Sequence, residues 1–540
     1  MKSLGIVVLA VTAIIAVTVA TLPAHAQLAE LFVTAESCMA CHNGLVTPTG
    51  DDISIGSDWR PSMMANAARD PYWHAAVRRE ILLRPDLAEA IQNECSACHM
   101  PMSRFTAKAA GRQEPVFVHL PAARAVAPAD RLAVDGVSCA MCHQIGTEGL
   151  GTRESFTAGF AVDTTTPPGQ RRAFGPYQVD AGRQSLMRSA AGFVPEQGEH
   201  LQSAEMCATC HTLFTHAIGD DGQVIGEFPE QVPYLEWKHS AYSRNERRTC
   251  QLCHMPEVDG DAPISSVVGQ PRENVSRHVF RGGNFFIPRV FSRYRGELGV
   301  KALPQELETM SARTADHLAS AAARLIVDRV EIAAGRLRAE VRIESLAGHK
   351  LPSAYPSRRA WIRFTVRDRK GAVAFESGRL EPDGSIAGND NDADGARYEP
   401  HHATIESPDQ VQIYEAIMAG PDDAVTTVLL TAVRYLKDNR ILPDGFDKAT
   451  AGEDIAVHGN ARADTDFVGG TDRVRYDVDL AGAEGPFTVE AELWYQPIGH
   501  RWAHNLAQQD APEIEFFVGA YEGLAPRSAT LLASDRVTAN

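Results

Sequence analysis

The fold of this 540-residue chain is decided by a short unit that first occurs as Cys38-Met39-Ala40-Cys41-His42. The same C-x-x-C-H pattern recurs four times before residue 255. The later copies are Cys95-Ser96-Ala97-Cys98-His99, Cys139-Ala140-Met141-Cys142-His143, Cys207-Ala208-Thr209-Cys210-His211 and Cys250-Gln251-Leu252-Cys253-His254. All ten cysteines of the chain fall in these five units, so no thiol is left over for another use.

A C-x-x-C-H unit is typical of covalent haem attachment. Its two thiols each form a thioether to one haem edge, and the following histidine then lies under the iron as the proximal ligand. Zinc sites, a thioredoxin-like redox pair and structural disulfides also use paired cysteines. None of these alternatives needs a histidine after each of five pairs, so the sequence predicts five covalent c-type haems. The predicted attachment residues are Cys38, Cys41, Cys95, Cys98, Cys139, Cys142, Cys207, Cys210, Cys250 and Cys253, and the predicted proximal ligands are His42, His99, His143, His211 and His254.

Each iron can take a second axial ligand, which is usually histidine or methionine. His239 follows an aromatic Trp237, and His278 precedes a turn at Gly282 and Gly283, so the sequence favours these two histidines. The other histidines among the motifs are weaker candidates, with His119 ahead of the rest: His119, His74, His200 and His216. Met63 and Met64 are either core residues or, as sulfur donors, ligands of one haem.

The N-terminal segment has the pattern of a secretory signal peptide. Lys2 precedes an apolar run from Gly5 to Leu22, and Ala24-His25-Ala26 has the small-residue spacing of a cleavage site. The alternative is a retained transmembrane anchor, because a run of about 18 residues borders on spanning length. We expect residues 1–26 to be removed, no stable membrane anchor to remain, and the protein to be periplasmic or secreted.

Composition narrows the class of protein. Hydrophobic residues make up 44% of the chain and charged residues 22%, which is typical of a globular protein. The formal net charge is −17, so a nucleic-acid partner is not expected. An acidic surface instead suits docking to a basic redox partner protein.

The second half of the chain changes to a different pattern. Residues 304–324 predict a helix, and beyond it apolar and charged residues alternate with period two, as in the run from Leu337 to Glu344. We predict an α+β multidomain protein in which a mostly helical or irregular, haem-packed domain is followed by a β-sandwich. The predicted divisions are a signal peptide (1–26), a pentahaem cytochrome c domain (27–303), a linking helix (304–324) and a β-sandwich-like domain (325–540).

One acidic segment of the second half is a candidate calcium site. Residues 390–395, with the sequence DNDADG, match the first half of a calcium-binding loop. His401 stands where such a loop has its bidentate glutamate, so the alternative is a solvated acidic turn. A bound Ca²⁺ is therefore the weaker of the two interpretations.

Several longer stretches carry a resemblance to a known family. They are Trp59-x-x-Ser62-Met63-Met64, the two Cys-His-Met-Pro units at 98–101 and 253–256, Glu236-Trp237-x-His239-Ser240, Arg277-His278-Val279-Phe280-x-Gly282-Gly283-Asn284 and Gly348-His349-Lys350-Leu351-Pro352. Together they resemble exported bacterial multihaem c-type cytochromes, and the haem region is similar to the cytochrome c554-like group. The resemblance covers most of the chain after the signal segment.

The resemblance also implies particular distal ligands. In the wider group a Trp-x-x-Ser-x-His string carries a distal histidine, and Met64 stands at the matching place here, which implies a methionine ligand or an altered haem. The Gly348-His349 stretch implies that His349 arrives as a ligand from the second domain. Ammonia-forming nitrite reductases are similar only broadly, because they place a lysine in one motif and this sequence has no C-x-x-C-K unit.

These features predict a cytochrome that transfers electrons along a close-packed row of haems. The alternative is an oxidoreductase in which one haem keeps an open position and acts on a small nitrogen or sulfur species. A third interpretation is a binding module in which the β domain recognises a partner. No motif in the sequence demands a substrate, so electron transfer is the favoured prediction and no catalytic residue is named.

Overall fold

The computed structural model of the protein describes residues 31–219, 221–244 and 248–540. The predicted signal peptide, residues 1–26, lies outside the described residues. Within them, helices and several small sheets combine into the α+β composition that the sequence predicts. No helix among the described residues has both the length and the apolar character needed to cross a membrane.

The helices are mostly short and concentrate in the first 321 residues. Several begin with proline at the first helical position, where the missing N–H costs nothing and the fixed φ favours the helix. The helices are α1 (Ala35–Met39), α2 (Ile55–Trp59), α3 (Pro71–Leu83), α4 (Ala88–His99), α5 (Pro101–Ala109), α6 (Pro128–Ala133), α7 (Cys139–Cys142), α8 (Ala181–Ala191), α9 (Ala204–His211), α10 (Pro233–Lys238), α11 (Cys250–His254), α12 (Phe286–Arg293), α13 (Pro304–Ala321), α14 (Asp390–Ala393), α15 (His500–Leu506) and α16 (Pro512–Glu522).

The strands are short in the first half and longer in the second. They are β1 (Arg171–Gly175), β2 (Phe193–Gln197), β3 (Leu213–Ile218), β4 (Val224–Gln231), β5 (Ala262–Pro263), β6 (Pro271–Arg272), β7 (Ala323–Ala333), β8 (Arg336–Ser345), β9 (Arg359–Arg367), β10 (Val373–Ser377), β11 (Thr404–Ile405), β12 (Ile413–Tyr414), β13 (Ala416–Ala419), β14 (Val425–Thr426), β15 (Arg434–Asp438), β16 (Thr471–Asp479), β17 (Phe487–Gln496) and β18 (Thr530–Ala539).

Two larger sheets organise the second half. One has the order β10-β9-β17-β18, with β12 also paired to β9, and the other has the order β11-β16-β8-β7. A smaller sheet has the order β14-β13-β15. The first half contains three two-stranded pairs: β1 runs parallel to β2, whereas β3 pairs with β4 and β5 with β6 in antiparallel fashion.

The buried faces of the two larger sheets share one apolar core. The ring of Phe364 on β9 stacks on the ring of Tyr476 on β16, with centroids 3.8 Å apart. Val341 on β8 and Leu493 on β17 are fully buried in the same cluster. Alternating burial along β8 is the pattern that a strand with one solvated face produces, so the period-two sequence pattern correctly predicts these strands.

The first and second halves do not pack as separate bodies around separate cores. The cluster that contains Leu493 also contains Phe291 of α12. Helix α16, near the C-terminus, packs on α3, where the rings of Phe517 and Tyr72 lie 5.0 Å apart. Arg78 and Glu513 add an ion pair between the same two helices at 2.8 Å. The C-terminal part of the chain therefore supports the region that carries the motifs.

The candidate calcium segment folds differently from a calcium loop. Residues 390–393 form the short helix α14, and the carboxylate of Asp392 accepts a hydrogen bond from the buried guanidinium of Arg359 at 2.8 Å. Arg397 pairs with Asp390, and Arg501 donates to the backbone oxygens of residues 391 and 392. Arginines thus contact the carboxylates of Asp390 and Asp392 and two backbone oxygens of this segment, which agrees with the favoured interpretation of an acidic turn.

Candidate functional site

All five cysteine motifs open onto one continuous cavity in the first half of the molecule. Its lining includes every one of the ten cysteines and the histidine that ends each motif. None of the ten thiols is joined to another in a disulfide. Residues as far apart in the sequence as Cys38 and His254 therefore lie on one internal surface.

Short helices explain how each motif presents its groups. Helices α4 and α9 end at His99 and His211, and α11 consists of the residues from Cys250 to His254. In a helical turn, residues three positions apart lie on the same face, so both thiols of a motif point the same way. The histidine follows at the end of the turn, where its ring is free to reach into the cavity.

Four of the five motif histidines are oriented by a backbone carbonyl. Their Nδ1 atoms lie within hydrogen-bond distance of a carbonyl oxygen: Ile264 for His42 at 2.6 Å, Ala67 for His99 at 2.9 Å, Phe174 for His143 at 2.5 Å and Arg281 for His254 at 2.5 Å. A donated Nδ1–H sets the tautomer and leaves Nε2 as the free lone pair, which is the usual arrangement of a metal-binding imidazole.

Burial lowers the pKa of four motif histidines. The pKa falls to about 4 for His99 and His254, although a backbone hydrogen bond opposes the shift in each case, and it is also lowered for His143 and His211. Only the neutral imidazole can bind a metal through nitrogen. Burial therefore favours, in these four histidines, the protonation state that ligation requires.

Contacts between thiols define which motifs are neighbours. The thiol of Cys38 interacts with that of Cys139, Cys98 with Cys210, and Cys207 with Cys250. Cys142 and Cys210 also lie close enough to interact electrostatically. The first motif thus adjoins the third, and the fourth motif adjoins the second, third and fifth.

Three further histidines line the cavity among the described residues, and one of them, His278, faces the histidine of the third motif. The rings of His143 and His278 are nearly parallel, with an interplanar angle of 19° and centroids 6.4 Å apart. Two imidazoles bound on opposite sides of one metal, with bonds of about 2 Å, have ring centroids roughly 6 Å apart. The spacing of this pair fits a single metal between the two rings.

The other two cavity histidines both approach the fifth motif. His349 lies parallel to His254 at 8° with centroids 6.2 Å apart, and His317 of α13 lies at 71° with centroids 6.1 Å apart. The sequence analysis selects His349, whereas it treats His317 only as part of a helix. A single histidine within a polar helix face carries no signal of this role until the helix is placed against the cavity.

Two of the predicted ligands do not reach the cavity. Both nitrogens of His119 are engaged by carboxylates, Nδ1 by Asp130 at 2.8 Å and Nε2 by Glu114 at 2.9 Å. The Nε2 atom of His239 lies 2.9 Å from the backbone oxygen of Asp447. Neither His119 nor His239 is among the residues that line the cavity, so no contact in the described structure supports their predicted role as ligands.

The weaker histidine candidates also lie outside the cavity lining. His74 and His200 are each held by a backbone oxygen, and His216 sits between two glutamates. Met64 does line the cavity, together with Met63, in the segment that follows α2. Its backbone oxygen accepts a hydrogen bond from Val137, two residues before the third motif.

The polar lining of the cavity suits a group that carries carboxylates. Five arginines line it among the described residues, and they are Arg183, Arg248, Arg272, Arg281 and Arg358. Arg272 Nε and the hydroxyl of Tyr495 are buried in this lining without a hydrogen-bond partner. Haem propionates are carboxylates, and pairing with such donors would satisfy these atoms.

Three glutamates, in contrast to these arginines, lie near the second motif. Glu80 of α3 and Glu230 of β4 are 7% and 5% exposed, and both line the cavity together with Glu94. Burial raises the pKa of Glu80 and of Glu230 to about 7. Burial also raises the pKa of the Cys95 thiol, and the nearby charges of Glu94, Glu80 and Glu230 raise it further.

A buried ionic network holds the segment that carries His349. Lys350 is fully buried, and its ammonium donates to Asp438 at 2.7 Å. Arg440 bridges Asp438 at 2.7 Å and Glu236 of α10 at 2.9 Å. Glu236 in turn accepts from the backbone N–H of Lys350 at 3.1 Å. Two positive and two negative groups therefore join the second half of the chain to the cavity wall.

A separate cluster in the second half, formed by His401, Asp464 and Asp472, has the residue types of a metal site. The amide groups of Gln412 and Asn439 both donate to His401 Nδ1, at 2.8 and 3.1 Å. Because Nδ1 accepts these bonds, Nε2 carries the proton and faces Asp464 at 3.3 Å. This hydrogen bonding accounts for the cluster without a metal ion.

Comparison with known proteins supplies one similar fold. No family model matches the sequence, and no curated protein matches it. Among solved structures, the chain is similar to a penta-haem cytochrome c552 from Thermochromatium tepidum, with a TM-score of 0.51 and 15% sequence identity. The similarity covers 95% of this chain and 99% of that chain. The protein therefore has, over nearly its whole length, the fold of a penta-haem cytochrome.

Proposed function

We propose that this protein is a multihaem c-type cytochrome that carries five covalent haems and transfers electrons between them. The observation that carries the proposal is that five C-x-x-C-H motifs open onto one cavity with the thiols of neighbouring motifs in contact. Haem supplies reversible one-electron chemistry when it is bound. Motifs this close would hold their haems within one connected array.

The chain's own residues then have defined roles. The ten cysteines anchor the haems, and the five motif histidines are their proximal ligands. We propose His278 as the distal ligand opposite His143 and His349 as the distal ligand opposite His254, because each pair is spaced for one iron and the sequence resemblance already points to His349. Met64 is proposed as a further distal ligand, since it lines the same cavity. The cavity arginines pair with propionates.

The contacts between motifs also suggest a path for electrons. The fourth motif adjoins the second, third and fifth, and the third adjoins the first. The fourth motif is then a junction, with the first, second and fifth at the ends of three branches. A basic redox partner would dock where one of these terminal haems comes close to the surface of this acidic protein.

The first experiment is to purify the protein from cells that attach haem and to measure its mass and spectra. Five haems should add covalently, and the ferric protein should show low-spin bis-imidazole signals from at least two of them. A mass with no covalent haem would overturn the proposal. Reduction and reoxidation by small mediators, followed by stopped-flow absorption, then tests transfer between the haems.

A second function, an oxidoreductase acting on a small molecule, is favoured by one observation. Only three non-motif histidines line the cavity among the described residues, and all three face the third or fifth motif. Among the described residues, no ring contact joins a further histidine of the cavity lining to the histidine of the first, second or fourth motif. Carbon monoxide binding by the reduced protein would reveal an open iron, and its absence would leave electron transfer alone.

We further propose an exported protein with the divisions predicted above: a signal peptide (1–26), a pentahaem domain (27–303), a linking helix (304–324) and a β-sandwich-like domain (325–540). The net charge of −17 supports solubility and a basic redox partner, with no role for nucleic acid. Fractionation of the native host, with detection of the protein in the periplasm or medium, tests the location.

A further inference from the structure

Two histidines of the second half lie on the protein surface and do not line the haem cavity. His500 and His504 are the first and fifth residues of α15. Residues four positions apart on a helix lie on the same face. The side chain of His504 is exposed and that of His500 is partly exposed. Two histidines with this spacing on one helix face are an arrangement that binds a single metal ion.

The distance between the two rings fits one metal ion. Their centroids are 5.5 Å apart, and the angle between their planes is 18°. Two imidazoles bound to one ion at a tetrahedral angle, with metal–nitrogen bonds of about 2 Å, have centroids roughly 5.2 Å apart. The spacing of His500 and His504 therefore suits two neighbouring positions of a tetrahedral ion.

Both histidines have a ring nitrogen that a metal can use. The Nδ1 atom of His500 lies 3.3 Å from the backbone oxygen of Asp383, so Nδ1 carries the proton and Nε2 keeps its lone pair. Among the described residues, no hydrogen bond engages a ring nitrogen of His504. Burial lowers the pKa of His504, and the nearby Arg501 lowers it further, which favours the neutral imidazole that binds metals.

The charges around the two histidines favour a bound cation. The carboxylates of Asp383 and Glu522 both lie close enough to His504 to interact with it, and Asp383 also interacts with His500. The cation on the same helix, Arg501, is buried and donates to backbone oxygens of α14. Two carboxylates therefore lie beside the imidazole pair, whereas the guanidinium of the neighbouring arginine is engaged elsewhere.

We propose that His500 and His504 form a surface site for one divalent transition-metal ion of the class that prefers imidazole nitrogen, such as Zn²⁺. The two imidazoles bind the ion directly, Asp383 supplies a carboxylate beside it, and water completes the coordination. A bound ion would join α15 to the segment that contains Asp383. The site lies outside the haem cavity, so this inference does not depend on the proposed haems.

The test is equilibrium dialysis of the full-length haem-loaded protein, first treated with a chelator, against a series of Zn²⁺ concentrations. Zinc and iron in the retained protein are measured by elemental mass spectrometry, so that iron reports the haem content of each sample. The variants are His500→Gln and His504→Gln. His216→Gln is the matched control, because His216 is also exposed and lies beside two glutamates but has no histidine four positions away.

We expect the wild type and His216→Gln to bind one Zn²⁺ with the same affinity, and each α15 variant to bind it at least about tenfold more weakly, because one of two nitrogen ligands is lost. A wild type that binds no zinc would overturn the inference. Equal binding by the wild type and both α15 variants would also overturn it, since the zinc would then be adventitious. Low iron content contradicts the proposed function and leaves the zinc result to be judged separately.

Discussion

The two halves of this molecule reach a folded state by different means. From Ala323 onward, long strands bury alternating side chains in a continuous apolar core, as Val341, Phe364 and Leu493 illustrate. Before that residue, short helices and two-stranded sheets surround a cavity lined by ten cysteines and eight histidines of the described chain. The second half contributes long strands to an apolar core that it shares with the first half, whereas the first half also surrounds a cavity lined by cysteines and histidines.

This difference shows why one pattern of sequence predicts a fold and the other predicts a cofactor. Alternating apolar residues predict strands because burial of the apolar face of a sheet itself stabilises the fold. The first half, which carries the five motifs, has weaker periodicity. We expect part of its stability to come from bound haem, because the binding free energy of a metal or cofactor adds to the free energy of folding. Five predictions test this contrast, from the largest expected effect to the smallest.

Withholding haem should have the largest effect. When the full chain is produced in cells without haem attachment, we expect residues before about 300 to be cleaved rapidly by protease, because the cavity walls lack their filling. The segment from 325 to 540 should resist for longer. Mass spectrometry of the fragments, with the haem-loaded chain as control, measures this, and uniform cleavage of both halves would contradict the contrast.

Breaking the buried ionic network should come next. Asp438→Asn leaves the buried ammonium of Lys350 and the guanidinium of Arg440 without a full counter-charge, so we expect the free energy of unfolding to fall by about 3–5 kcal/mol. Urea denaturation measures it. Asp423→Asn, which removes one exposed pair with Arg434, is the control and should cost about 0–1 kcal/mol.

The same network makes a prediction about pH. Burial tends to raise the pKa of Asp438, but Arg440 and Lys350 outweigh burial and hold it below its ordinary value of 3.8. Stabilisation by this carboxylate is therefore present above about pH 4 and is lost as the pH falls further. The difference between wild type and Asp438→Asn should shrink in acid, and a difference that grows on acidification would be evidence against the network.

A core truncation in the second half should destabilise without touching the cavity. Leu493 is fully buried on β17, so Leu493→Ala should lower the free energy of unfolding by about 2–5 kcal/mol. Because Leu493 does not line the cavity, the haem absorption and EPR spectra should not change. Altered spectra in the folded variant would show that the two halves are coupled more tightly than this contrast allows.

Replacement of one proposed distal ligand should have the smallest effect on stability, but it should change the haem spectrum clearly. In His349→Ala, one haem of five should become high-spin and bind carbon monoxide after reduction, because His349 is the proposed distal ligand opposite His254. His317→Ala should stay low-spin, and His239→Ala serves as a control outside the cavity. If His317→Ala instead gives the high-spin signal, the distal ligand of the fifth haem is His317.

The sequence predictions succeed where a feature depends on residues that are close together in the chain. The strands β8, β9, β16 and β17 and helix α13 occur where the alternation and helical patterns predict them. His278 and His349 lie in the cavity as the resemblance and the local aromatic context suggest. In the sequence His239 is as strong a candidate as His278, and His119 follows them. In the structure Asp130 and Glu114 engage both nitrogens of His119, and a backbone oxygen lies beside Nε2 of His239, and such long-range partners leave no local trace.

The sequence by itself determined the cysteine motifs, the motif histidines and the strand-rich second half, because each depends on spacing along the chain. Only the tertiary structure decided which motifs are neighbours, which histidine faces which, and that Glu80 and Glu230 meet beside Cys95. The physical reason is that ligation and electrostatics act through distances of a few ångströms between residues that lie tens to hundreds of positions apart.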